Sequence, residues 1–214
     1  NHRSLQQGIC GISPLQMFPS KFTNSLPVGE IKLSTQELKE KLNAFDPGIT
    51  RTTLLALHAF REAVNDSNLS NTQIADFDTA LIGASTVGGM CLTDEMYMDS
   101  KNDSKASEYI SSYDGSATTM FLQQQHAMEG LVNTINTACS SSANAIMYGA
   151  RLIKSGRARR AIVGGFDSLA KFTINGFNSL KNIDKNFCSP FDANRNGLNL
   201  GEGAAYLILE KESN

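Results

Sequence analysis

One cysteine of this chain stands between a predicted strand and a predicted helix. The segment runs Asn136-Thr137-Ala138-Cys139-Ser140-Ser141-Ser142, with an apolar, β-leaning run before it and a strong helical pattern over 143–153 after it. The first N–H groups of a helix and the positive end of its dipole favour a thiolate over a thiol. Such positions lower a cysteine pKa from about 8.5 to roughly 3.5–7.5. The segment therefore predicts that Cys139 is a nucleophile.

The competing interpretation of Cys139 is a small, buried core residue. Free cysteines are among the most buried residue types, so residue type alone favours this alternative. The order of strand, cysteine, serines and helix reverses the balance, because small neighbours leave the sulfur reachable. The remaining cysteines, Cys10, Cys91 and Cys188, lack such a context, and we interpret them as packing or loop residues.

Composition narrows the class of protein. A chain of 214 residues forms one large domain or two small ones, and 41% hydrophobic residues with 17 glycines suit a globular α/β protein. The formal net charge of −2 gives no electrostatic case for nucleic acid binding. No apolar run approaches the roughly 20 residues of a membrane span, and no signal peptide opens the chain. Four cysteines without metal-ligand spacing indicate reduced thiols, which predicts a cytoplasmic protein without a metal.

The elements that must position Cys139 follow from hydrophobic periodicity. Residues 1–30 are predicted to be irregular, and residues 101–112 a polar surface excursion. Helices are predicted over about 34–43, 54–65, 89–100, 117–128, 141–155 and 174–180. Apolar runs predict buried strands at 79–85, 132–137 and 160–165 and a final strand at 204–210. Because the strands are apolar and alternate with helices, we predict an α/β fold with a mixed, largely parallel sheet covered on both faces by helices.

Several motifs in this order resemble those of the β-ketoacyl-[acyl-carrier-protein] synthases, the condensing enzymes of fatty acid and polyketide synthesis. The cysteine segment Thr137–Ser142 is similar to the active-site segment of that family. The other similar segments are Gly8–Ile12, Arg51–Leu57, Ile82–Gly89, Ala161–Gly165 and the loop with Ser189–Asp192, Arg195, Gly197 and Gly201–Ala204. The resemblance covers nearly the whole chain.

The resemblance implies roles for particular residues. Cys139 would accept an acyl group from the phosphopantetheine thiol of an acyl carrier protein, and its backbone N–H would form half of an oxyanion hole. Thr137 and Ala138 would belong to the same pocket. Asp192, Arg195, Gly201 and Glu202 would anchor their glycine-rich loop against the site, although an ordinary solvated turn is the competing interpretation. No cofactor is expected, because the carrier protein brings the substrates.

The resemblance also implies that residues 1–214 form the N-terminal half of a thiolase-like fold. The family's opening strand and its second half, with two histidines and a lysine, would lie outside this chain. His2, His58 and His126 match none of those positions; we interpret His58 as a core or boundary residue and assign His126 no role. The expected partners are an acyl carrier protein, the second half or a partner chain, and a second copy in a homodimer.

Some features weaken or qualify this assignment. Asn196 stands where the family has aspartate, and Leu198-Asn199 where it has Phe-Val. A basic cluster at the end of the cysteine helix could attract an acidic carrier protein, but cations are favourable there for local reasons, which we prefer. That cluster consists of Lys154, Arg157, Arg159 and Arg160. Gly88-Gly89 predicts close backbone packing, since no phosphate-loop or dinucleotide motif accompanies it.

Three functions therefore compete. The first is the N-terminal domain of a β-ketoacyl synthase, which by itself would not carry out condensation. The second is a non-catalytic, chain-length-factor-like subunit, but the nucleophile is usually replaced in such proteins. The third is a thiolase-like transferase of acyl groups from coenzyme A, which the loop from Asp192 to Ala204 disfavours.

Overall fold

The computed structural model describes residues 2–17, 19–102 and 107–211. In chain order the elements are α1 (His2–Gln6), β1 (Ser13–Pro14), β2 (Pro27–Val28), α2 (Thr35–Leu42), α3 (Arg51–Ser67), α4 (Asn71–Ala75), β3 (Thr79–Ala84), α5 (Thr93–Asn102), α6 (Ala117–Gln125), β4 (Val132–Ile135), α7 (Ser141–Lys154), β5 (Arg160–Asp167), α8 (Lys171–Ser179) and β6 (Gly203–Glu210). Short 3-10 turns occupy Gly88–Leu92 and Ile110–Ser112.

These elements form two compact units. The smaller unit combines Asn1–Ser34 with Leu169–Glu202, and the larger combines Thr35–Ser168 with Gly203–Asn214. The larger unit contains a four-stranded sheet of order β4-β3-β5-β6. Strand β3 runs parallel to β4 and β5, whereas β6 runs antiparallel to β5. The predicted mixed, largely parallel sheet is therefore confirmed.

Burial along the strands follows their positions in the sheet. All six residues of β3 are buried, as expected for an apolar run between two parallel neighbours. The final strand predicted at 204–210 is confirmed as β6, an edge strand on which Leu207 is 49% exposed. The strand β4 lies at the other edge and contains no buried residue, so the prediction of a buried strand at 132–137 is wrong in this respect.

Helices pack on both faces of this sheet. The buried residues of α7 are Ser141, Ala145, Gly149 and Leu152, whose spacing places them on one face of the helix. That face contacts the alternating residues Ala80, Ile82, Ala84, Ala161 and Val163 of β3 and β5. On the opposite face, a side chain at Gly83 would meet Thr119 of α6, and Phe60 of α3 contacts Tyr206 of β6 edge to face at 5.4 Å.

The smaller unit has its own hydrophobic core and hydrogen bonds that join its separate chain segments. Leu15, Leu26, Val28, Leu169 and Ile174 are buried together. The carboxylate of Glu202 accepts hydrogen bonds from the N–H groups of Ile31 and Leu169, at 3.0 and 3.1 Å. This unit therefore holds together chain segments that are far apart in sequence.

The structure corrects several predicted boundaries. Residues 1–30 are not wholly irregular, since they contain α1 and the short β1–β2 ladder. The helix predicted at 89–100 begins as a 3-10 turn and becomes α-helical only at Thr93. The helix predicted to reach Met128 ends at Gln125, because Ala127 adopts a left-handed φ of +48°. Part of the predicted excursion at 101–112, residues 103–106, lies outside the described residues.

Two further differences concern helix starts. The helix predicted from Leu54 begins at Arg51, since the Thr50 side chain accepts a hydrogen bond from the Thr53 N–H and caps it. The helix α4 was not predicted, although Ser70 and Gln73 form a capping box at its start. In the described part of the chain, no helix has the length and apolar character that crossing a membrane requires.

Candidate active site

Cys139 lies in the turn between β4 and α7, where the sequence places it. Strand β4 ends at Ile135 and α7 begins at Ser141, with Ser140 as the residue before its first turn. The cysteine is exposed and forms no disulfide. The predicted exposure of its side chain is therefore confirmed, and the competing interpretation as a core cysteine is wrong.

The turn has a sharp backbone at Ala138. This residue has a left-handed φ of +53°, which costs a non-glycine residue about 1 kcal/mol. The turn closes through hydrogen bonds from the Ser140 N–H to the Thr137 carbonyl (3.3 Å) and from the Ser141 N–H to the Ala138 carbonyl (3.0 Å). We call residues 136–141 the elbow.

The buried hydroxyl of Ser141 stabilises the elbow through two hydrogen bonds to its backbone. Its oxygen accepts a hydrogen bond from the Thr137 N–H at 2.9 Å and donates to the Ala138 carbonyl at 2.6 Å. Ser141 is only 3% exposed, so both bonds lie away from water and are costly to lose. The Ala138 N–H also has a partner, the side-chain oxygen of Asn136 at 3.3 Å.

These bonds leave the N–H group of Cys139 uncommitted. The N–H groups of Thr137 and Ala138 bind side chains of the elbow itself. Among the described residues, neither the N–H nor the thiol of Cys139 has a hydrogen-bond partner. An exposed sulfur in this position can attack a carbonyl carbon. The free N–H beside it can then donate a hydrogen bond to the oxyanion that forms.

Sequence reasoning missed two side chains that hold the elbow. Asn144, one turn into α7, donates to the hydroxyl of Thr137 at 2.7 Å. Thr86, from the turn after β3, donates to the Ala138 carbonyl at 3.3 Å. The only signal for Asn144 is a polar residue within the helical pattern Ala143-Asn144-Ala145-Ile146, and Thr86 has no local signal, since it is 52 residues from Ala138.

A glycine permits the start of α7 to lie close to β5. A side-chain carbon at Gly165 would lie 1.9 Å from the hydroxyl oxygen of Ser142. Any larger residue there would push the first turn of α7, and with it the elbow, away from the sheet. The motif Ala161–Gly165 thus has a packing role beside the site.

With this geometry described, comparison with known proteins is informative. The family model described as "Beta-ketoacyl synthase, N-terminal domain" matches residues 3–214. This chain belongs to that family.

Relatives support the assignment over most of the chain. The ketoacyl synthase alpha subunit of the tetracenomycin polyketide synthase from Streptomyces glaucescens is 29% identical over 76% of this chain and 42% of the relative. A crystal structure of a beta-ketoacyl synthase from Burkholderia phymatum superposes with a TM-score of 0.80 at 22% identity, over 99% of this chain and 54% of the other. A ketosynthase in complex with its chain length factor from Xenorhabdus doucetiae gives 0.76 at 26% identity, over 95% and 51%. These neighbours confirm a thiolase-like ketosynthase fold, and the chain spans about half the length of the relatives it matches.

The other cysteines have less reactive surroundings or different positions. Burial raises the pKa of the Cys91 thiol, which donates to the Gly88 carbonyl at 3.5 Å. Cys188 is half-buried, and Cys10 is exposed without a helix beginning beside it. Cys10 is therefore the natural reference for Cys139, because the two share exposure but not local structure.

The basic cluster predicted at the end of α7 is smaller than the sequence indicates. Arg160 is 4% exposed and forms an ion pair with Glu210 at 2.5 Å. It also donates to the Gln73 carbonyl at 3.0 Å, so it is a structural residue within the larger unit. Arg160 must therefore be removed from the surface cluster, which retains Lys154, Arg157 and Arg159.

The predicted anchoring residues do not form one network within the smaller unit. Asp192 accepts hydrogen bonds from the Asn194 N–H at 2.7 Å and, through its carbonyl, from the Arg195 guanidinium at 2.9 Å, which makes a local exposed turn. Gly201 instead pairs with Gly29, and Glu202 binds the backbone of Ile31 and Leu169. Among these contacts, those of Asp192 and Arg195 match the solvated-turn interpretation, whereas Gly201 and Glu202 tie segments together.

Asn199 is a further residue of this loop that sequence reasoning left without a role. Its side-chain oxygen accepts from the Cys188 N–H at 2.8 Å, and its amide donates to the carbonyls of Asp184 and Asn186 at 3.3 and 2.9 Å. The departure from the family pattern at Asn199 is thus accompanied by a set of bonds that fixes the 184–188 segment.

The two histidines of the larger unit lie in packing environments. His126 ends α6 and packs on the ring of Phe60 with centroids 4.6 Å apart. Burial, with a smaller contribution from the Arg61 charge, lowers the pKa of His126. His58 is half-buried and lies 3.5 Å from Glu62, as expected for a boundary residue.

Proposed function

We propose that this chain is the acyl-accepting part of a β-ketoacyl-[acyl-carrier-protein] synthase. In the first step the Cys139 sulfur attacks the thioester carbonyl of an acyl group on the carrier's phosphopantetheine. A new carbon–sulfur bond forms, the carrier's thiol leaves, and it takes up the proton that Cys139 loses. The observation that supports this role best is the exposed Cys139, whose N–H is uncommitted while the N–H groups of Thr137 and Ala138 just before it are bound within the elbow.

The oxyanion of that step needs hydrogen-bond donors. The Cys139 N–H is available for this purpose, whereas those of Thr137 and Ala138 are committed to the elbow. One such donor typically lowers the activation free energy of acyl transfer by about 3 kcal/mol. Thr137 and Ala138 then shape the pocket rather than donate to the substrate.

The second step would be a decarboxylative Claisen condensation. Malonyl-carrier protein loses CO2, and the carbanion attacks the acyl carbon on Cys139. The carbon–sulfur bond breaks, the cysteine leaves as thiolate, and the β-ketoacyl group stays on the carrier protein. The family resemblance assigns decarboxylation to two histidines in the family's second half, where a lysine is also expected.

The partners of the synthase follow from this reaction. An acyl carrier protein brings both substrates, and no other cofactor is required. The second half of the fold, or a partner chain, would supply the decarboxylating residues; the solved ketosynthase from Xenorhabdus doucetiae is bound to a chain length factor. A homodimer and a cytoplasmic location stay predictions.

The alternatives fit the structure less well. A chain-length-factor-like subunit needs no nucleophile, yet Cys139 is present and exposed. A thiolase-like transferase acting on coenzyme A thioesters would share the elbow, but the Asp192–Ala204 segment resembles that of the synthases. The catalytic synthase is therefore the function that we propose.

Selective alkylation tests the role of Cys139. We expect iodoacetamide to modify Cys139 about tenfold faster than Cys10 near neutral pH, since of the two only Cys139 lies at the start of a helix, whose dipole favours negative charge on the attacking sulfur. Peptide mass mapping of the four cysteines measures the rates, and a Cys139→Ala variant confirms the assignment of the fast site. Cys10 controls for exposure; equal labelling of all four cysteines would contradict the proposal.

A further inference from the structure

A carboxylate at the end of β5 binds the turn that follows β3. Asp167 is the last residue of β5 and is half-buried. One of its oxygens accepts a hydrogen bond from the Ser85 hydroxyl at 2.7 Å. The Thr86 N–H lies 2.9 Å from the other oxygen, and the Val87 N–H lies 3.3 Å from the first. A single side chain thus satisfies three consecutive residues of one turn.

The turn bound by Asp167 has little freedom of its own. The Ser85 oxygen also accepts from the Gly88 N–H at 2.9 Å. Gly88 has a left-handed φ of +55°, and a side chain there would lie 2.9 Å from the Cα of Gly115. Packing and hydrogen bonds therefore fix residues 85–88 in one shape relative to Asp167.

The same turn contacts the elbow on both sides of Ala138. The Thr86 hydroxyl donates to the Ala138 carbonyl at 3.3 Å, and the Thr86 carbonyl accepts from the Asn136 side chain at 3.3 Å. Asn136 in turn accepts from the Ala138 N–H. Both polar groups of the strained residue before Cys139 are thereby connected to Thr86.

We propose that Asp167 is a positioning residue for Cys139, acting through Thr86 on the elbow. The proposal rests on the proposed role of Cys139 as the nucleophile. Cys139 makes no hydrogen bond of its own to another described residue, so the placement of its sulfur and N–H depends on Ala138 and its neighbours. Without the carboxylate, the N–H groups of Thr86 and Val87 lose their acceptor, and the turn moves away from the elbow.

Two variants and a control separate positioning from general stability. Asp167→Asn removes the negative charge but keeps nearly the same side-chain size. The NH2 group of the new amide cannot accept the hydrogen bonds that the Ser85 hydroxyl and the backbone N–H groups of residues 86 and 87 donate. Thr86→Val removes only the hydroxyl that reaches Ala138. Asp76→Asn is the matched control, because the Asp76 side chain accepts a hydrogen bond from the Asp78 N–H at 2.8 Å in the same unit and, within the described part of the chain, makes no hydrogen bond to the elbow. Each protein is checked for folding by thermal unfolding.

The readout is the pH profile of iodoacetamide alkylation at Cys139, with Cys10 measured in the same reaction. In Asp167→Asn we expect the rate of alkylation at Cys139 at pH 7.5 to fall about threefold relative to Cys10, because the sulfur loses its place at the helix start. Thr86→Val should shift in the same direction by less. Asp76→Asn, and Cys10 in every variant, should keep the wild-type profile.

The outcomes distinguish this inference from the proposed function. If both folded variants show the wild-type profile at Cys139, Asp167 does not position the nucleophile, while the role of Cys139 stands. If Cys139 and Cys10 react equally in the wild type, the proposed function fails and this inference with it. Should Asp167→Asn fail to fold, Thr86→Val alone decides, since a folded protein with an unchanged profile overturns the inference.

Discussion

At the scale of single residues, the site depends on which polar groups are already paired. The N–H groups of Thr137 and Ala138 are bound within the elbow, whereas the Cys139 N–H is uncommitted, as the role that we propose for it requires. Ser141, the first residue of α7, holds this turn, because its buried hydroxyl accepts a hydrogen bond from the Thr137 N–H and donates one to the Ala138 carbonyl. The role that we propose for Cys139 therefore depends on Ser141 as much as on the chemistry of the thiol.

A titratable residue outside the site leads to a prediction about stability. Burial and the Arg61 charge lower the pKa of His126 below its usual value of 6.5 in the folded state. Between the two pKa values the unfolded chain binds more protons, so the free energy of unfolding decreases as pH falls through about 6.5. We expect His126→Gln to lose less stability than the wild type between pH 7.5 and 5.5, measured by urea unfolding at each pH.

The difference in free energy of unfolding between His126→Gln and the wild type at pH 7.5 is the reference value for that experiment. The chosen window lies above the usual pKa values of carboxyl groups, so the difference between the two proteins reports on the histidine. Parallel curves for the two proteins across the window would contradict the burial of a neutral His126.

At the scale of elements, the approach of α7 to β5 depends on glycine. A side-chain carbon at Gly149, in the middle of α7, would lie 2.4 Å from Val163 and 3.2 Å from Ala161. Both strand residues are fully buried, so neither can move without disturbing the core. Gly165 of β5 allows the same close approach about two turns earlier on α7, beside Ser142.

Two helical glycines provide a matched test of this packing. We expect Gly149→Ala to destabilise the protein by about 1–3 kcal/mol, because the added methyl group overpacks the contact between α7 and β5. Gly176→Ala in α8, where no atom lies within 4 Å of the new carbon, should instead stabilise by about 0.5–1 kcal/mol. Denaturant unfolding followed by circular dichroism measures both; a neutral Gly149→Ala would show that the contact is looser than the structure indicates.

At the scale of the whole molecule, the chain corresponds to about half of its relatives. It covers 54% of the ketosynthase from Burkholderia phymatum and 42% of the subunit from Streptomyces glaucescens. Large apolar side chains are exposed on α7, where Ile146 and Met147 are 39% and 43% exposed. Exposed apolar groups of this kind are compatible with a covering partner, such as the second half that we propose.

Division of the chemistry between the two halves gives a prediction for activity. We expect the 214-residue chain by itself to accept an acyl group at Cys139 but not to condense it with a malonyl group. The reason is that none of His2, His58 and His126 matches the family's decarboxylating positions. Incubation with acyl- and malonyl-carrier protein, followed by mass spectrometry of the carrier, measures both steps. A β-ketoacyl product above that of the Cys139→Ala variant would contradict this expectation.

Much of this structure follows from local sequence. Apolar runs predict β3 and β5, and the pattern from Ser141 predicts α7 to within one residue of its observed end. The exposure of Cys139 follows from the same pattern. A turn of small residues between a strand and a helix lies at the end of the strand, where connecting segments run over the surface. Local patterns failed where one residue's backbone decided the outcome, as at Ala127, whose left-handed φ ends α6.

What the sequence determined by itself is the order of the main helices and strands and the position of Cys139 between a strand and a helix, since both depend on spacing between near neighbours. Only the tertiary structure showed that Thr86 and Asp167 support the elbow, because those bonds join residues 52 and about 80 positions apart. It also showed that Arg160 is buried against Glu210, where composition alone indicated a surface cation. Hydrogen bonds between distant segments leave no periodic signal, so only the folded chain reveals them.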